Sequence, residues 1–327
     1  MSGVSANPSA TLPATLPPTL PVPLPASIRV FERGWLSSNN VLLVDESRAA
    51  LVDTGYATHA EQTVSLVQHA LAGRALDTIV NTHLHSDHCG GNARLQAQWS
   101  CETLIPAASA SAVRAWDQAR LSFLATGQSC ERFAITDTLA PGARLTLGGF
   151  EWDVIGAPGH DPDSLMLYAA EPRVLISADA LWEHGFGVIF PELEGESGFA
   201  EQRAVLDAIA QLDVAVVIPG HGAPFTNVGA ALERAGARLA WLSADPARNA
   251  KNALKVLIVF KLLEVRTMTF AALDAMLAGA SAMRAAARQI APERAWPALM
   301  RDLAGELAKS GALVMGENGV EAPAGMS

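Results

Sequence analysis

The sequence predicts a mixed α/β fold followed by a small, mainly helical C-terminal domain. Short apolar segments of strand length alternate with amphipathic segments of helix length through about the first three quarters of the chain. Polar residues recur at the points where those strands end. Beyond Asp245-Pro246 the composition shifts, and almost every later segment is predicted to be helical. Half of the residues are hydrophobic, so the chain can bury a large core.

Three strands and a helix are predicted at the start of the ordered chain, from about Ile28. The strand segments are IRVFERGW, NVLLVDES and RAALVDTG, each apolar and followed by polar turn residues. The segment THAEQTVSLVQHALAG predicts a helix, in which Thr58 and Glu61 form a capping box and Gly73 marks the end. A buried strand, LDTIVNTH, then leads into a cluster of histidines.

The middle of the chain continues the mixture of strands and helices. The predicted elements are, in order, a helix from Gly90-Gly91 to Gln98, a strand at 102–105, a helix at 108–126, a hairpin about Gly148-Gly149, a second hairpin that ends at Asp179, the helix SGFAEQRAVLDAIAQL, the strand VAVVIPGHG and a helix from 228 to about 244.

The two ends of the chain differ from this middle region. Residues 1–27 repeat Thr-Leu-Pro and are predicted to form a disordered, extended tail, because proline disfavours both helix and sheet. Residues 28–245 are predicted to form the main domain. Residues 246–327 are predicted to form a helical domain with three helices, at 249–265, 269–277 and 296–309, and a final hairpin in GALVMGENGV.

Composition limits the partners and the compartment that we expect. The net charge is -10, which argues against general affinity for nucleic acid or for anionic membranes. No apolar run is long enough to span a bilayer. The three cysteines have no paired spacing and indicate reduced thiols, and the N-terminus has no secretory signal. We therefore expect a cytoplasmic protein that acts on a small molecule.

The segment NTHLHSDHCGGN carries the strongest chemical signal. Alternate side chains of an extended segment point the same way, so His83 and His85 suit one metal ion. Asp87 and His88 suit a neighbouring ion if the chain turns before Gly90-Gly91. Imidazole and carboxylate ligands together favour Zn²⁺, with Fe or Mn as alternatives. A metal would also remove the repulsion between crowded imidazolium groups.

Three more residues of ligand type follow apolar strands. His160 comes after VIGAPG, Asp179 after VLISA and His221 after VVIPG. Any one of them alone is as well explained as a turn or capping residue. With the first four they give seven candidate ligands, which is enough for two metal ions and an open position for water or substrate.

The order of these residues resembles that of the metallo-β-lactamase superfamily, over about residues 28–245. The resemblance rests on His83-x-His85-x-Asp87-His88, then His160, Asp179 and His221, with LVDTG ending the third strand. It implies a four-layer αββα sandwich with a dinuclear site at one edge of its sheets. It assigns His83, His85 and His160 to a first metal, and Asp87, His88 and His221 to a second. Asp179 would bridge the two metals, and Asp53 would support a ligand.

At the bridging position the chain has an aspartate, Asp179, and in this respect it resembles the glyoxalase II-like branch of the superfamily. This implies a hydrolase in which two Zn²⁺ ions activate a hydroxide to cleave a thioester, ester or lactone, with Asp87 orienting that nucleophile. Two alternatives stay open. One is a ribonuclease: the C-terminal region resembles the small winged-helix-like end domain that some family members carry, and Lys251, Lys255, Lys261 and Arg266 could form a basic strip on it. Persulfide dioxygenases share the fold and use one iron. The apolar C-terminal helices give a weak indication of a homodimer.

Overall fold

A computed structural model describes residues 24–293 and 295–325 of the chain. Residues 1–23, which make up most of the predicted proline-rich tail, lie outside the described residues. The first of two large sheets has six strands in sequence order: β1 (Ile28–Phe31), β2 (Asn40–Val44), β3 (Ala49–Val52), β4 (Thr78–Val80), β5 (Glu102–Pro106) and β6 (Asp137–Leu139). Strands β1 to β3 are antiparallel, whereas β3 to β6 run parallel to one another.

The second large sheet has five strands in the order β11-β10-β9-β8-β7. Its members are β7 (Arg144–Leu147), β8 (Phe150–Gly156), β9 (Leu165–Ala169), β10 (Val174–Ala178) and β11 (Val216–Pro219). Strands β7 to β10 form an antiparallel meander, and β11 pairs in parallel with β10. Gly148 and Gly149 both adopt positive φ at the tight turn of the predicted hairpin, which suits a two-residue loop.

Eight helices accompany these sheets in the described residues up to 245. They are α1 (Ala60–Leu71), α2 (Ser86–Cys89), α3 (Asn92–Trp99), α4 (Ala110–Ala115), α5 (Phe123–Thr126), α6 (Pro191–Glu194), α7 (Phe199–Gln211) and α8 (Val228–Ser243).

The four predicted layers are present. One apolar cluster joins the inner faces of the two sheets, with Val52 and Val80 on one side and Trp152 and Ile218 on the other. A second cluster packs α1 and α3 against the outer face of the first sheet. A third packs α7 and α8 against the outer face of the second sheet. The predicted αββα sandwich is therefore confirmed, because each sheet buries one face on the other sheet and one face on helices.

Two local predictions are wrong. The capping box expected at Thr58 and Glu61 does not form, because a 3-10 turn at Ala57–His59 already contains Thr58 when α1 begins. The helix expected at 108–126 is broken between α4 and α5. Trp116 and Ser122 take left-handed backbone angles there, and Trp116 packs its ring on Phe123. Tertiary packing of the indole thus outweighs the helical pattern of the sequence.

The described residues of the C-terminal region form four α-helices and a small sheet. Its elements are α9 (Pro246–Val265), β12 (Thr267–Thr269), α10 (Phe270–Gly279), α11 (Ser281–Ile290), α12 (Trp296–Lys309), β13 (Val314–Met315) and β14 (Gly319–Glu321). Strand β14 pairs antiparallel with both β12 and β13. Helix α11 was not predicted, and it packs against α9. The domain boundary near residue 246 and the winged-helix resemblance stay predictions.

The C-terminal helices have an apolar cluster of their own, which also includes Val188 and Leu193 from the α/β region. Asp245 caps α9 by accepting a hydrogen bond from the backbone N–H of Ala247. In the described part of the chain, no helix combines the length and the apolarity that a membrane span requires.

Candidate metal centre

The seven predicted ligands lie together at one edge of the sandwich. The segment from His83 to His88 follows β4, Asp179 follows β10, and His221 follows β11. His160 follows β8, which points in the same direction as β10 because each is antiparallel to β9. The carboxyl ends of these strands therefore meet at one edge, and residues far apart in the sequence become neighbours.

His83, His85 and His160 form the first group. Nε2 of His83 lies 3.2 Å from Nδ1 of His85, which lies 2.8 Å from Nε2 of His160. The outer nitrogen of His160 donates a hydrogen bond to the carbonyl of Val188 over 2.6 Å. That bond leaves the lone pair of His160 Nε2 directed at the other two rings. Three converging ring nitrogens of this kind form one face of a metal site.

Burial keeps the imidazoles of this group neutral. Burial lowers the pKa of His85 and of His160 to about 4, and it lowers the pKa of His83 well below its ordinary value. Charge on the neighbouring histidines lowers the pKa of His83 and of His160 further. A neutral imidazole offers a lone pair, so these three rings are ready to act as ligands near neutral pH.

Asp87, His88, Asp179 and His221 form the second group. The short helix α2 carries Asp87 and His88, which confirms that the chain turns after His85. Oδ2 of Asp87 lies 3.0 Å from Nε2 of His221 and 3.6 Å from Nε2 of His88. Nε2 of His88 is buried and has no hydrogen-bond partner in the structure. A buried nitrogen aimed at two carboxylates without a bond of its own is accounted for if it is a metal ligand.

Opposite charges set the protonation of this second group. Burial alone would lower the pKa of His88, but the carboxylates of Asp53, Asp179 and Asp87 raise it well above its ordinary value. Burial likewise opposes ionisation of Asp87 and Asp179, yet His88 and His221 lower the pKa of both carboxyls. The carboxylates are therefore ionised, and a metal that binds here must displace a proton from His88.

The carboxylate of Asp179 lies between the two groups. Its Oδ2 is 3.3 Å from Nε2 of His160, in the first group. Its Oδ1 is 3.5 Å from Nε2 of His88 and 4.0 Å from Nε2 of His221, in the second group. One oxygen faces each group, so a single side chain could serve two ions. Within the described residues, the ligand atoms of each group lie within 4.8 Å of one another, so each could hold a metal ion.

Asp53 accepts a hydrogen bond from Nδ1 of His88, the ring nitrogen that faces away from the other ligands. Its Oδ2 lies 2.8 Å from Nδ1 of His88, and the same carboxylate accepts hydrogen bonds from the backbone N–H and the hydroxyl of Thr82. Asp53 itself has a left-handed backbone, with φ of 58°. Such conformations are uncommon outside glycine and concentrate at functional sites. The aspartate thus fixes both the tautomer of His88 and the loop that carries it.

Two glycines that the sequence analysis did not single out leave room for ligands. A Cβ atom on Gly187 would lie 2.4 Å from Nδ1 of His160, and one on Gly220 would lie 2.2 Å from Oδ1 of Asp179. Because Gly220 directly precedes the predicted ligand His221, the sequence alone could have indicated that it lies beside the metal centre. Gly187 carries no such signal, because only the tertiary fold brings it against His160.

Asn39 is a further residue that sequence reasoning missed. Its side-chain amide donates hydrogen bonds to the carbonyls of Pro219 and Gly222, on either side of His221. Its backbone N–H donates to the carbonyl of Gly220. This asparagine therefore holds the loop that presents His221, although it lies just before β2 of the other sheet and is remote in sequence.

The remaining histidines stay outside the cluster. The ring of His59 bonds to the hydroxyl of Ser37, and the side chain of His184 is 80% exposed. His69 lies in the last turn of α1. Two tryptophans lie over the second group instead: Trp35 stacks on the ring of His221, and Trp182 donates a hydrogen bond from its indole nitrogen to Oδ1 of Asp179.

A cavity of about 420 Å³ opens onto the ligands. Its walls include Asp87 and Asp179 from the second group and His85 and His160 from the first. A space of this size is typical of a site for a small molecule. The aromatic side chains of Trp182, Phe186 and Phe190 line it as well.

Comparison with known proteins decides the family. The sequence model of the metallo-beta-lactamase superfamily matches residues 33–221, which include all seven candidate ligands. The chain belongs to the metallo-beta-lactamase superfamily. This family therefore accounts for the four layers and for the position of the cluster at the edge of the sheets.

Several curated relatives within the superfamily are similar to part of the chain. It is 30% identical to the hydroxyacylglutathione hydrolase of Idiomarina loihiensis over 146 residues. The matched segment covers 45% of this chain and 47% of the relative. It is 32% identical to the hydroxyacylglutathione hydrolase of Dechloromonas aromatica over 171 residues. That matched segment covers 52% of this chain and 52% of the relative. The chain thus spans about half the length of these curated relatives.

Among solved structures, a metallo-beta-lactamase family protein from Thermus thermophilus is similar over most of the chain. The likeness covers 88% of this chain and 94% of that protein, with a TM-score of 0.51 and 22% sequence identity. At this identity the likeness concerns the fold.

Proposed function

We propose that this protein is a metal-dependent hydrolase that cleaves a thioester, ester or lactone of a small molecule with the help of two divalent cations. The observation that carries the proposal is the position of Asp179, whose two carboxylate oxygens face the two ligand groups. The names of the curated relatives, hydroxyacylglutathione hydrolase, support a thioester as the substrate.

The donor set suits Zn²⁺, with Fe and Mn as alternatives, because five imidazole nitrogens of borderline softness are combined with two harder carboxylates. His83, His85 and His160 would hold one ion. Asp87, His88 and His221 would hold the other, and Asp179 would contact both. When bound, such ions supply Lewis acidity, which brings the pKa of a coordinated water to about 7 and polarises a carbonyl.

The side chains of the protein supply the other parts of the reaction. The ionised carboxylate of Asp87 lines the cavity, so it would orient the attacking water and take up its proton. The indole N–H of Trp182 holds the carboxylate of Asp179 in place. Aromatic and aliphatic side chains form much of the cavity wall, so a bound substrate would displace water from beside the ligands and strengthen the electrostatic interactions of the site.

The ribonuclease alternative has less support from the charges. Lys251 and Lys255 both pair with Glu306, and Lys261 pairs with Glu264. Three of these four cations are thus engaged by two carboxylates within the protein, whereas binding to RNA needs cations that are available to phosphate.

Elemental analysis and a substrate panel test the proposal together. Purified protein should contain about two equivalents of metal and should hydrolyse an acyl thioester, an aryl ester or a lactone. A chelator should abolish turnover, and added Zn²⁺ should restore it. Absence of hydrolysis by metal-replete protein would contradict the proposal. Cleavage of RNA with steep salt dependence would support the nuclease, and oxygen uptake with glutathione persulfide would support the dioxygenase.

A further inference from the structure

The cavity beside the ligands is closed on one side by the C-terminal helix α9. Seven residues of α9 line it, and four of the apolar ones have helical spacing, namely Val256, Val259, Phe260 and Leu263. Residues at i, i+3, i+4 and i+7 share one face of a helix, so these side chains form a continuous apolar wall. Val256 is 39% exposed although it is an apolar residue that faces this cavity. A wall of this kind suits an apolar part of a ligand.

Arg238 of α8 brings a guanidinium without an ion pair to the same cavity. Its guanidinium lies 5.5 Å from the centre of the Phe186 ring, and burial lowers its pKa. Among the described residues, no carboxylate lies within ion-pair distance of it and no hydrogen bond to it is formed. The other cation of the wall, Lys255, pairs with Oε2 of Glu306 at 2.7 Å.

A half-buried guanidinium without partners is costly, because its five N–H groups have lost water without gaining acceptors. Arg238 lies close to the ligand groups, since its side chain packs on Gly185, two residues before the glycine that touches His160. An anionic group that entered the cavity would accept hydrogen bonds from the guanidinium of Arg238. The rest of the ligand would then pack on the apolar wall of α9. The planar fork of arginine suits a carboxylate or another oxyanion.

We infer that the ligand of this cavity is an amphipathic anion, with an apolar acyl or aryl body on the α9 wall and a negatively charged group on Arg238. As a statement about the substrate, this inference rests on the proposed hydrolase. The charged group is separate from the scissile carbonyl, which belongs beside Asp179. A substrate of this class has more apolar surface and fewer charges than a glutathione conjugate.

A pair of fluorescent dyes tests the binding claim without turnover. The anionic probe is 8-anilinonaphthalene-1-sulfonate, and the neutral probe is N-phenyl-1-naphthylamine, which lacks only the sulfonate. Both should bind the full-length, zinc-loaded protein. Arg238→Gln should weaken binding of the anionic dye about tenfold, since a charge-assisted hydrogen bond is lost, and should leave the neutral dye within about twofold. Val256→Ser should weaken both dyes.

Arg203→Gln is the matched control, because Arg203 lies exposed on α7 and does not line the cavity. The melting temperature of each variant shows whether it is folded. Equal loss of both dyes in Arg238→Gln, no loss of either, or the same loss in Arg203→Gln would overturn the inference. Failure of both dyes to bind the parent protein would overturn it as well.

A kinetic comparison separates this inference from the proposed function. The substrates are p-nitrophenyl octanoate and the mono-p-nitrophenyl ester of octanedioic acid, which differ by the terminal carboxylate. The parent protein should favour the charged ester about tenfold in kcat/KM, and Arg238→Gln should reduce the ratio of the two kcat/KM values to about one. Equal rates on both esters would overturn the inference alone. If the metal-replete protein cleaves neither these esters nor any thioester or lactone of the substrate panel, the proposed function fails, and the dye experiment still decides the inference.

Discussion

Oδ2 of Asp53 lies 2.8 Å from Nδ1 of His88, on the side of the ring that faces away from the other ligands. The carboxylate thereby places the proton on Nδ1 and directs the lone pair of Nε2 into the second group. Asp53 follows β3 and His88 lies on α2, so this hydrogen bond is one of those that join two loops whose parent strands are neighbours.

Asp53→Asn should weaken binding of the second metal by roughly 10–100-fold, because the charge that supports His88 is lost. Asparagine tolerates the left-handed backbone of this position, so the loop should keep its shape. Metal titration followed by calorimetry would measure the change. An unaltered affinity for the second metal ion would show that Asp53 has no part in positioning His88. Asp153→Asn, at the exposed ion pair with Arg144, serves as the control.

Asp179→Asn should reduce the bound metal from about two equivalents to one or fewer and should lower kcat by on the order of 100-fold. An amide lacks the negative charge that lets one side chain serve both groups. Elemental analysis of dialysed protein gives the first number, and thioester or ester hydrolysis gives the second. Full occupancy in this variant would contradict the bridging role, whereas Asp213→Asn, at a surface ion pair, should change neither number.

Gly220→Ala should damage the site without unfolding the chain. The added Cβ atom would lie 2.2 Å from Oδ1 of Asp179, so the carboxylate or the loop must move. Overpacking of this kind costs roughly 1–3 kcal/mol, and the displaced ligand should bind metal weakly. Gly229→Ala is the matched control, because a Cβ atom there meets nothing within 4 Å. The control should retain metal and gain about 0.5–1 kcal/mol of stability in helix α8. Denaturant unfolding and metal content, measured side by side, separate the two outcomes.

Glu306→Gln should alter the stability of the C-terminal region only above strongly acidic pH. Hydrogen bonds from Lys251 and Lys255 lower the pKa of Glu306 from 4.5 to about 2. A depressed carboxyl pKa stabilises the fold fully above the unfolded value of 4.5, and this contribution is lost as the pH falls through about 2. The three side chains are 30–43% exposed, so solvent screening limits the effect to less than about 1 kcal/mol.

Unfolding by urea at pH 7 and at pH 2 would measure this contribution. The difference between the parent protein and Glu306→Gln should be present at pH 7 and should shrink at pH 2. A difference that stays the same at both values would mean that ionisation of Glu306 does not link α9 to α12.

Much of the fold could be predicted because its strands have strong local signals. The segments that became β2, β3 and β11 are short apolar runs bounded by polar or glycine-containing turns, and such runs leave few alternatives. The helix from 108 to 126 failed for the opposite reason. Its periodicity was helical, but packing of the Trp116 ring decided the backbone there. Local pattern predicts an element well only where no distant contact competes with it.

The sequence by itself determined the types of the seven ligand residues, their order along the chain and their positions after strands. Those properties are local and can be read from adjacent residues. The tertiary structure alone decided that one carboxylate, that of Asp179, faces both groups, that Gly187 leaves room for His160, and that α9 and Arg238 complete the cavity. These contacts join residues separated by many positions. Their geometry depends on how two sheets and a C-terminal helix pack together, which no single segment encodes.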